Sequence, residues 1–406
     1  MRDPAGFREA RGGVALPESL AVSTAAINLP EALAAATSDQ PSARVALAGA
    51  LASPSHAYLF SGPAGSGKRA SARAFAGELL ALGAPDPNSA RRRAQLDPSP
   101  HPDLAWLRPP GAQHLVEEVR QRIIEAAPYR PFEGEHRVFV VEEADAMAEE
   151  SQNALLKTLE EPAPFAHIIL VSSQPSALLE TVRSRCQVIG FAALSPEALE
   201  ERLAGLHPGE DQAEVRAVAR LAGGDLDLAA LLLTDSGREI RSHAEALVRA
   251  ARAGELESAP WRGLLDAAEK RGGEAGEEVK ASFDALADQA KDASDRRGEQ
   301  RIRKEGADAA KRATRKGRNE ALDTGLALVA SWLRDLAALA DGAANVVLNS
   351  DRSVALSEDA EGLDPRRPRR AAELVMDTRR RLSVNVSEEL ATEALAFRVE
   401  AVLRET

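Results

Sequence analysis

The chain has 406 residues, 44% of them hydrophobic and only 3% aromatic, with a formal net charge of −12. That length favours two or three domains, the Ala-, Leu- and Val-rich core suits helices, and the acidic balance argues against strong nucleic-acid binding by the chain as a whole. One cysteine, Cys186, excludes an internal disulfide and a cysteine zinc cluster, and the seven histidines lack metal-ligand spacing, so no metal site is expected. The polar start is not a secretory signal, and no apolar run is long enough to span a bilayer. A cytoplasmic protein is expected.

Residues 1–27 carry Gly and Pro with little periodicity and read as a mobile tail. Residues 30–50 read as two short helices broken near Pro41. Ala57-Tyr58-Leu59-Phe60 is a buried strand, followed by Ser61-Gly62-Pro63-Ala64-Gly65-Ser66-Gly67-Lys68 and a helix over 69–82. Strand, G-x-x-x-x-G-K loop and helix are the context of a phosphate-binding loop. Gly62, Gly65 and Gly67 let backbone N–H groups turn inward around phosphate, and Lys68 reaches the outer phosphates. The bland alternative is a Gly-rich turn that binds nothing. Arg69 stands where the motif asks for a Ser or Thr hydroxyl on Mg²⁺.

Residues 83–103 read as a loop, and its Arg91-Arg92-Arg93 run as solvated surface. A strand follows over 104–107. A helix is expected over 115–127, with Leu115, Val119, Ile123 and Ile124 along one side. Val138-Phe139-Val140-Val141 is a strand buried on both faces, ending in Glu142-Glu143-Ala144-Asp145. Carboxylates at the end of such a strand lie where open α/β sheets bind ligands. Glu142 is one methylene longer than the usual Asp, a second departure from an efficient Mg-ATP site. A helix over 149–161 stops at Pro162, and strands follow over 167–171 and 188–191. Five strands with intervening helices make a doubly wound parallel sheet.

After Phe191 the strand signals cease. Ser195-Pro196 opens the first of three short helices, over about 196–206, 212–222 and 226–233. From 236 onward the chain is charged and helical. Residues 281–318 alternate acids and bases and read as an exposed helix pair rather than a DNA stripe. Residues 321–340 put Leu322, Leu326, Val329, Leu333, Leu336 and Leu339 on one apolar side. The stretch Asp364-Pro365-Arg366-Arg367-Pro368-Arg369-Arg370 reads as a linker, and two more helices finish the chain.

The 62–68 loop behind His56-Ala57-Tyr58-Leu59-Phe60, the Glu142-Glu143-Ala144-Asp145 turn, Asn153-Ala154-Leu155-Leu156-Lys157-Thr158-Leu159-Glu160-Glu161-Pro162 and the triplet Ser184-Arg185-Cys186 together resemble the bacterial clamp-loader AAA+ family. The resemblance covers about 54–191. It implies an α/β P-loop AAA+ domain (28–191, five-stranded parallel sheet), a three-helix lid (192–235) and an all-α collar for oligomerisation (236–406). It implies that Lys68 is the phosphate lysine, Glu142 the metal-ligand position, Glu143 the water-activating position and Ser172 or Ser173 the γ-phosphate sensor. Arg185 matches the arginine finger that reaches a neighbour's ATP. Asp227 falls near the lid arginine of active members, and the four-Cys zinc module expected within 81–100 is missing, so no zinc is expected. The implied partners are the other subunits of a hetero-pentameric loader, with the sliding clamp and primed DNA reached through the complex, and no membrane. Two functions are weighed. One is a non-motor subunit that holds ATP or ADP, if at all, without efficient Mg²⁺ binding and supplies Arg185 in trans, as Arg69, Glu142 and Asp227 favour. The other is an active ATPase motor, as Lys68 and Glu143 favour.

Overall fold

The computed structural model describes residues 28–109, 113–292, 296–382 and 386–405. The tail expected over 1–27 lies outside them. Helices α1 (Glu31–Ala36) and α2 (Pro41–Ala52) precede β1 (Ala57–Ser61), and α3 (Lys68–Ala81) and α4 (Pro87–Gln95) lead to β2 (Leu104–Leu107). Next come α5 (Val116–Val119), β3 (Arg137–Val141), α6 (Glu149–Glu160), β4 (Ala166–Ser172), α7 (Glu180–Arg183) and β5 (Gln187–Gly190). The sheet is five-stranded and parallel, in the order β2-β3-β4-β1-β5.

Alternation along each strand splits the apolar side chains between two cores. Tyr58, Phe60, Val138, Val140, Ile169 and Val171 face α2 and α3. Leu59, Phe139, Val141, Ile168 and Leu170 face Val119, Ile123, Leu155 and Val182. Each fully buried Phe or Leu contributes about 1.5–3 kcal/mol, so one-residue slips in register are strongly disfavoured.

Three expectations are corrected. The stretch 83–103 holds helix α4: Asp86 accepts from Ser89 N at 2.9 Å as its N-cap, and Pro87 takes the first helical position. Its arginines are not simply solvated, since Arg91 Nε lies 2.9 Å from Glu78 and Arg93 pairs with Glu133. The helix expected over 115–127 is broken. Leu115 is extended and 55% exposed, and after α5 a wider turn closes with Glu125 N on Arg120 O at 2.9 Å.

Beyond the sheet lie α8 (Pro196–Leu206), α9 (Gln212–Leu221), α10 (Leu226–Leu232), α11 (Asp235–Ala253), α12 (Trp261–Asp292), α13 (Arg296–Ala340), α14 (Ser353–Ala360), α15 (Arg366–Leu382) and α16 (Glu388–Arg404). The third correction concerns the expected linker, which is the first turn of α15. Pro368 is tolerated there because first-turn amides have no helical partner. Buried side chains from Leu194 to Leu403 form one cluster around Leu322, Leu326, Val329, Leu333 and Leu336 of α13. The N-terminal half of α13 runs against α12 in a close-packed hairpin. A Cβ on Gly272 would lie 2.6 Å from the backbone O of Thr314, so the two helices meet too closely there for a side chain without a backbone shift. Among the described residues no helix is long and apolar enough to cross a membrane.

Candidate functional site

The parallel register gathers the site at the C-terminal ends of the three central strands, β3, β4 and β1. The 62–68 loop leaves β1 after Ser61. Gly67 caps α3 in the left-handed region (φ 86°), and Gly65 also has positive φ (61°). A Cβ on Gly65 would lie 2.0 Å from Asp225 Oδ1, and a Cβ on Gly62 would lie 2.3 Å from Phe191 O. Leu226 N donates to Gly65 O at 3.3 Å, so the start of α10 docks directly on the loop.

Lys68 is buried. Its Nζ donates to Pro63 O and, at 3.3 Å, to Ser66 Oγ. Burial pushes its pKa down to about 8, and Asp145, Asp225 and Asp227 only partly offset this. Burial and the neighbouring Asp225 push the Asp227 carboxyl above its ordinary range. Carboxylates thus stand around the ammonium, and they repel phosphate.

Arg69 turns toward Glu142, the residue expected at the metal-ligand position. Arg69 Nε lies 3.2 Å from Glu142 Oε1, Arg108 Nε lies 2.7 Å from Glu142 Oε2, and Trp106 Nε1 donates to Glu142 Oε2 at 2.8 Å. Asp97 ties the group together through Arg69 at 2.9 Å, Arg73 at 3.3 Å and Arg108. Burial works against the Glu142 carboxylate, yet Arg69 and Arg108 outweigh it and hold its pKa below the usual carboxylate range. A divalent cation would have to displace two guanidinium groups that already neutralise its ligand. These residues do not fit a Mg²⁺ site.

Glu143 has left-handed backbone (φ 51°), uncommon for a residue with a side chain. Its carboxylate pairs with Lys316 of α13. Ser172 is buried at the end of β4, and its Oγ accepts from Gln174 N at 3.1 Å. Ser173 N donates to Asp145 Oδ1 at 3.0 Å.

Arg185 lies elsewhere. It precedes β5, whose Gln187 is in register with Tyr58, at the start of β1. At about 3.3 Å per residue, that end of the sheet is more than about 10 Å from the loop after Ser61. Arg185 Nη2 lies 2.5 Å from Glu160 Oε1, and Nη1 donates to Thr181 O at 2.8 Å. Its acidic partner is Glu160. Burial pushes the adjacent Cys186 thiol up to about 12, so it is a packing group rather than a nucleophile.

Sequence reasoning missed Arg108, Trp106, Asp97 and Lys316. Arg108 becomes visible only in the sheet: Leu107 of β2 is in register with Val141 of β3, so the next residues on the two strands, Arg108 and Glu142, fall side by side.

The Lys68 environment makes stability depend on pH. Its pKa falls from 10.5 unfolded to about 8 folded, so between those values the unfolded chain binds the extra proton. Stability therefore rises with pH across that window. Denaturant titrations at several pH values from 7 to 11 are expected to show this rise in the parent chain and not in Lys68→Met. Parallel curves for the two proteins would refute it.

Residues 46–195 match the family model described as DNA polymerase III, delta subunit. Over 151 residues the chain is 36% identical to DNA polymerase III subunit delta' of Bacillus subtilis, covering 37% of this chain and 46% of that protein. Over 186 residues it is 36% identical to DNA polymerase III subunit delta' of Pseudomonas aeruginosa, covering 43% and 55%. Over 176 residues it is 33% identical to DNA polymerase III subunit gamma/tau of Mycobacterium tuberculosis, covering 42% and 30%. The chain spans about half the length of the delta' relatives it matches.

Proposed function

We propose, from the match of residues 46–195 to the family model described as DNA polymerase III, delta subunit, that this chain is a delta-prime-type, non-motor subunit of a clamp loader. In this reading it acts in the cytoplasm within a hetero-pentameric ring, helps open the sliding clamp and load it on primed DNA, and lends Arg185 to a neighbour's ATP. The domain division 28–191, 192–235 and 236–406 is part of the reading, with the helical collar carrying assembly.

One observation carries the non-motor assignment. Glu142 is held by Arg69, Arg108 and Trp106, so the carboxylate that a motor subunit would offer a metal is already neutralised. Glu143, paired with Lys316, points the same way, because a general base needs a free carboxylate. Lys68 and the glycines then serve as the scaffold on which α10 docks. The active-motor alternative requires both ion pairs to break on nucleotide binding.

Calorimetric titration of the isolated chain with Mg-ATP is expected to give little or no heat. Micromolar binding that disappears with EDTA would overturn the assignment. The assembled loader separates the two readings further: Lys68→Ala in this subunit is expected to leave its ATP turnover unchanged. Turnover abolished by that change would make the chain a motor.

A further inference from the structure

We propose that the outward face of α13 from Arg301 to Arg315 is a binding site for the phosphate backbone of duplex DNA. Residues 296–318 hold ten Lys and Arg against three Asp and Glu, whereas residues 261–292 of α12 hold eight acids against five cations. The hairpin is thus polarised, basic on one arm and acidic on the other.

The alternation of acids and bases along 281–318 argues against a DNA stripe in the sequence, but pairing sorts the basic arm into two faces. Arg303 lies toward α12 and is consumed: Asp284 at 3.2 Å, Asp288 at 2.9 Å and Glu299 at 3.1 Å all hold it. Arg301, Lys304, Lys311, Arg312 and Arg315 are different. At 3.6 residues per turn they share about 100° of the helix surface, and all five are exposed. Arg301 has only Glu305, at 3.9 Å. Among the described residues, Lys304, Lys311, Arg312 and Arg315 have no ion-pair partner. The face also carries Asp308, with Glu305 at its edge, which leaves five cations against two acids.

The fourteen helical steps from Arg301 to Arg315 span about 21 Å, over which a duplex presents about 12 phosphate charges. Several of these cations can therefore meet one duplex. Residues 296–318 contain no aromatic side chain on which an unpaired base could stack, which disfavours single strands. Large apolar groups are almost missing from the face, which disfavours a protein partner, whose contact would need an apolar centre. The net charge of −12 belongs to the whole chain and does not cancel a stripe whose counter-charges are spent on Arg303. The phosphate site stands on geometry alone; only the choice of DNA over RNA rests on the clamp-loader reading.

The test is fluorescence anisotropy of the full chain with a labelled duplex of about 25 base pairs, from about 25 to 200 mM salt. Salt-sensitive, micromolar binding is expected. The triple variant Lys311→Ala/Arg312→Ala/Arg315→Ala is expected to bind about tenfold more weakly. Its slope of log affinity against log salt should fall by roughly 2.7, at about 0.9 per lost phosphate contact. Arg303→Ala is expected to bind like the parent chain, and circular dichroism should show both variants folded. Unchanged affinity and slope in the triple variant, or no duplex binding at the lowest salt, would overturn the proposal. Co-purification with the other loader subunits is scored separately. Stripe-dependent duplex binding by a chain that fails to join a loader would keep the site and sink the functional reading. A triple variant that loses assembly but not DNA binding would give the stripe to a protein partner and overturn the site.

Discussion

Asp335→Ala is expected to lower the stability of the helical region by about 3–5 kcal/mol. Asp335 is fully buried on α13, beside the apolar side formed by Leu333 and Leu336. Its carboxylate accepts from Leu348 N at 3.1 Å, from Asn349 N at 2.8 Å and from Asn349 Nδ2 at 2.8 Å. It thereby fixes the turn before α14. That turn in turn holds Arg241 of α11, through Asn349 Oδ1 at 2.9 Å and Asp351 Oδ1 at 2.7 Å. Removing the carboxylate leaves three donors without acceptors, each costing about 1–3 kcal/mol. The exposed Arg334, 3.5 Å from Asp335, adds little to the pair by comparison. In a region of this size the loss corresponds to roughly 10 °C in the melting temperature. Thermal unfolding followed at the helical circular-dichroism band measures it, with Arg334→Ala as a control expected to cost less than about 1 kcal/mol. A drop of that smaller size in Asp335→Ala would mean that water replaces the carboxylate and that the turn holds itself.

Legibility followed the physical scale of each signal. The strands at 57–60, 104–107 and 138–141 were readable because short β-branched or aromatic runs bounded by polar residues have few other uses. The apolar side of α13 was readable because its spacing repeats over five turns. Helix α4 escaped because only Ala90 and Ala94 are buried, too small to register as periodicity, although Asp86-Pro87 announced a helix start. Asp335 escaped because a carboxylate beside an apolar side reads as its polar rim. At the site, Arg69 and Glu142 were visible as departures from a motif. Their mutual ion pair, with Arg108 closing it, needed the register of β2 against β3. Lys316 and Glu143 are 173 residues apart, and no local pattern in either segment links them.

On the clamp-loader reading proposed above, Arg185→Ala is expected to leave folding and assembly intact while silencing ATP turnover at the one site that this chain would face in a loader. The ion pair with Glu160 is a surface pair, both side chains being about a third to a half exposed, so its loss costs at most about 1 kcal/mol. The register of β5 on β1 puts Arg185 at the end of the sheet away from the chain's own loop, and its side chain is about a third exposed. A planar, permanently charged guanidinium placed there can bind two oxygens of a neighbour's phosphate and stabilise the charge that develops in phosphoryl transfer. Such a finger is worth about 10³–10⁵ in rate at its own site, and the loader as a whole loses that site's share of turnover. Arg185→Lys should restore little, because an ammonium cannot make the forked contact. Glu160→Ala distinguishes the finger from a plain surface ion pair. It breaks the same pair but leaves the guanidinium free to swing across, so clamp- and DNA-stimulated turnover should stay at or above the parent rate. If Glu160→Ala slows turnover as much as Arg185→Ala does, the pair is structural. If Arg185→Ala loaders hydrolyse ATP and load clamps at the parent rate, Arg185 is no finger at all.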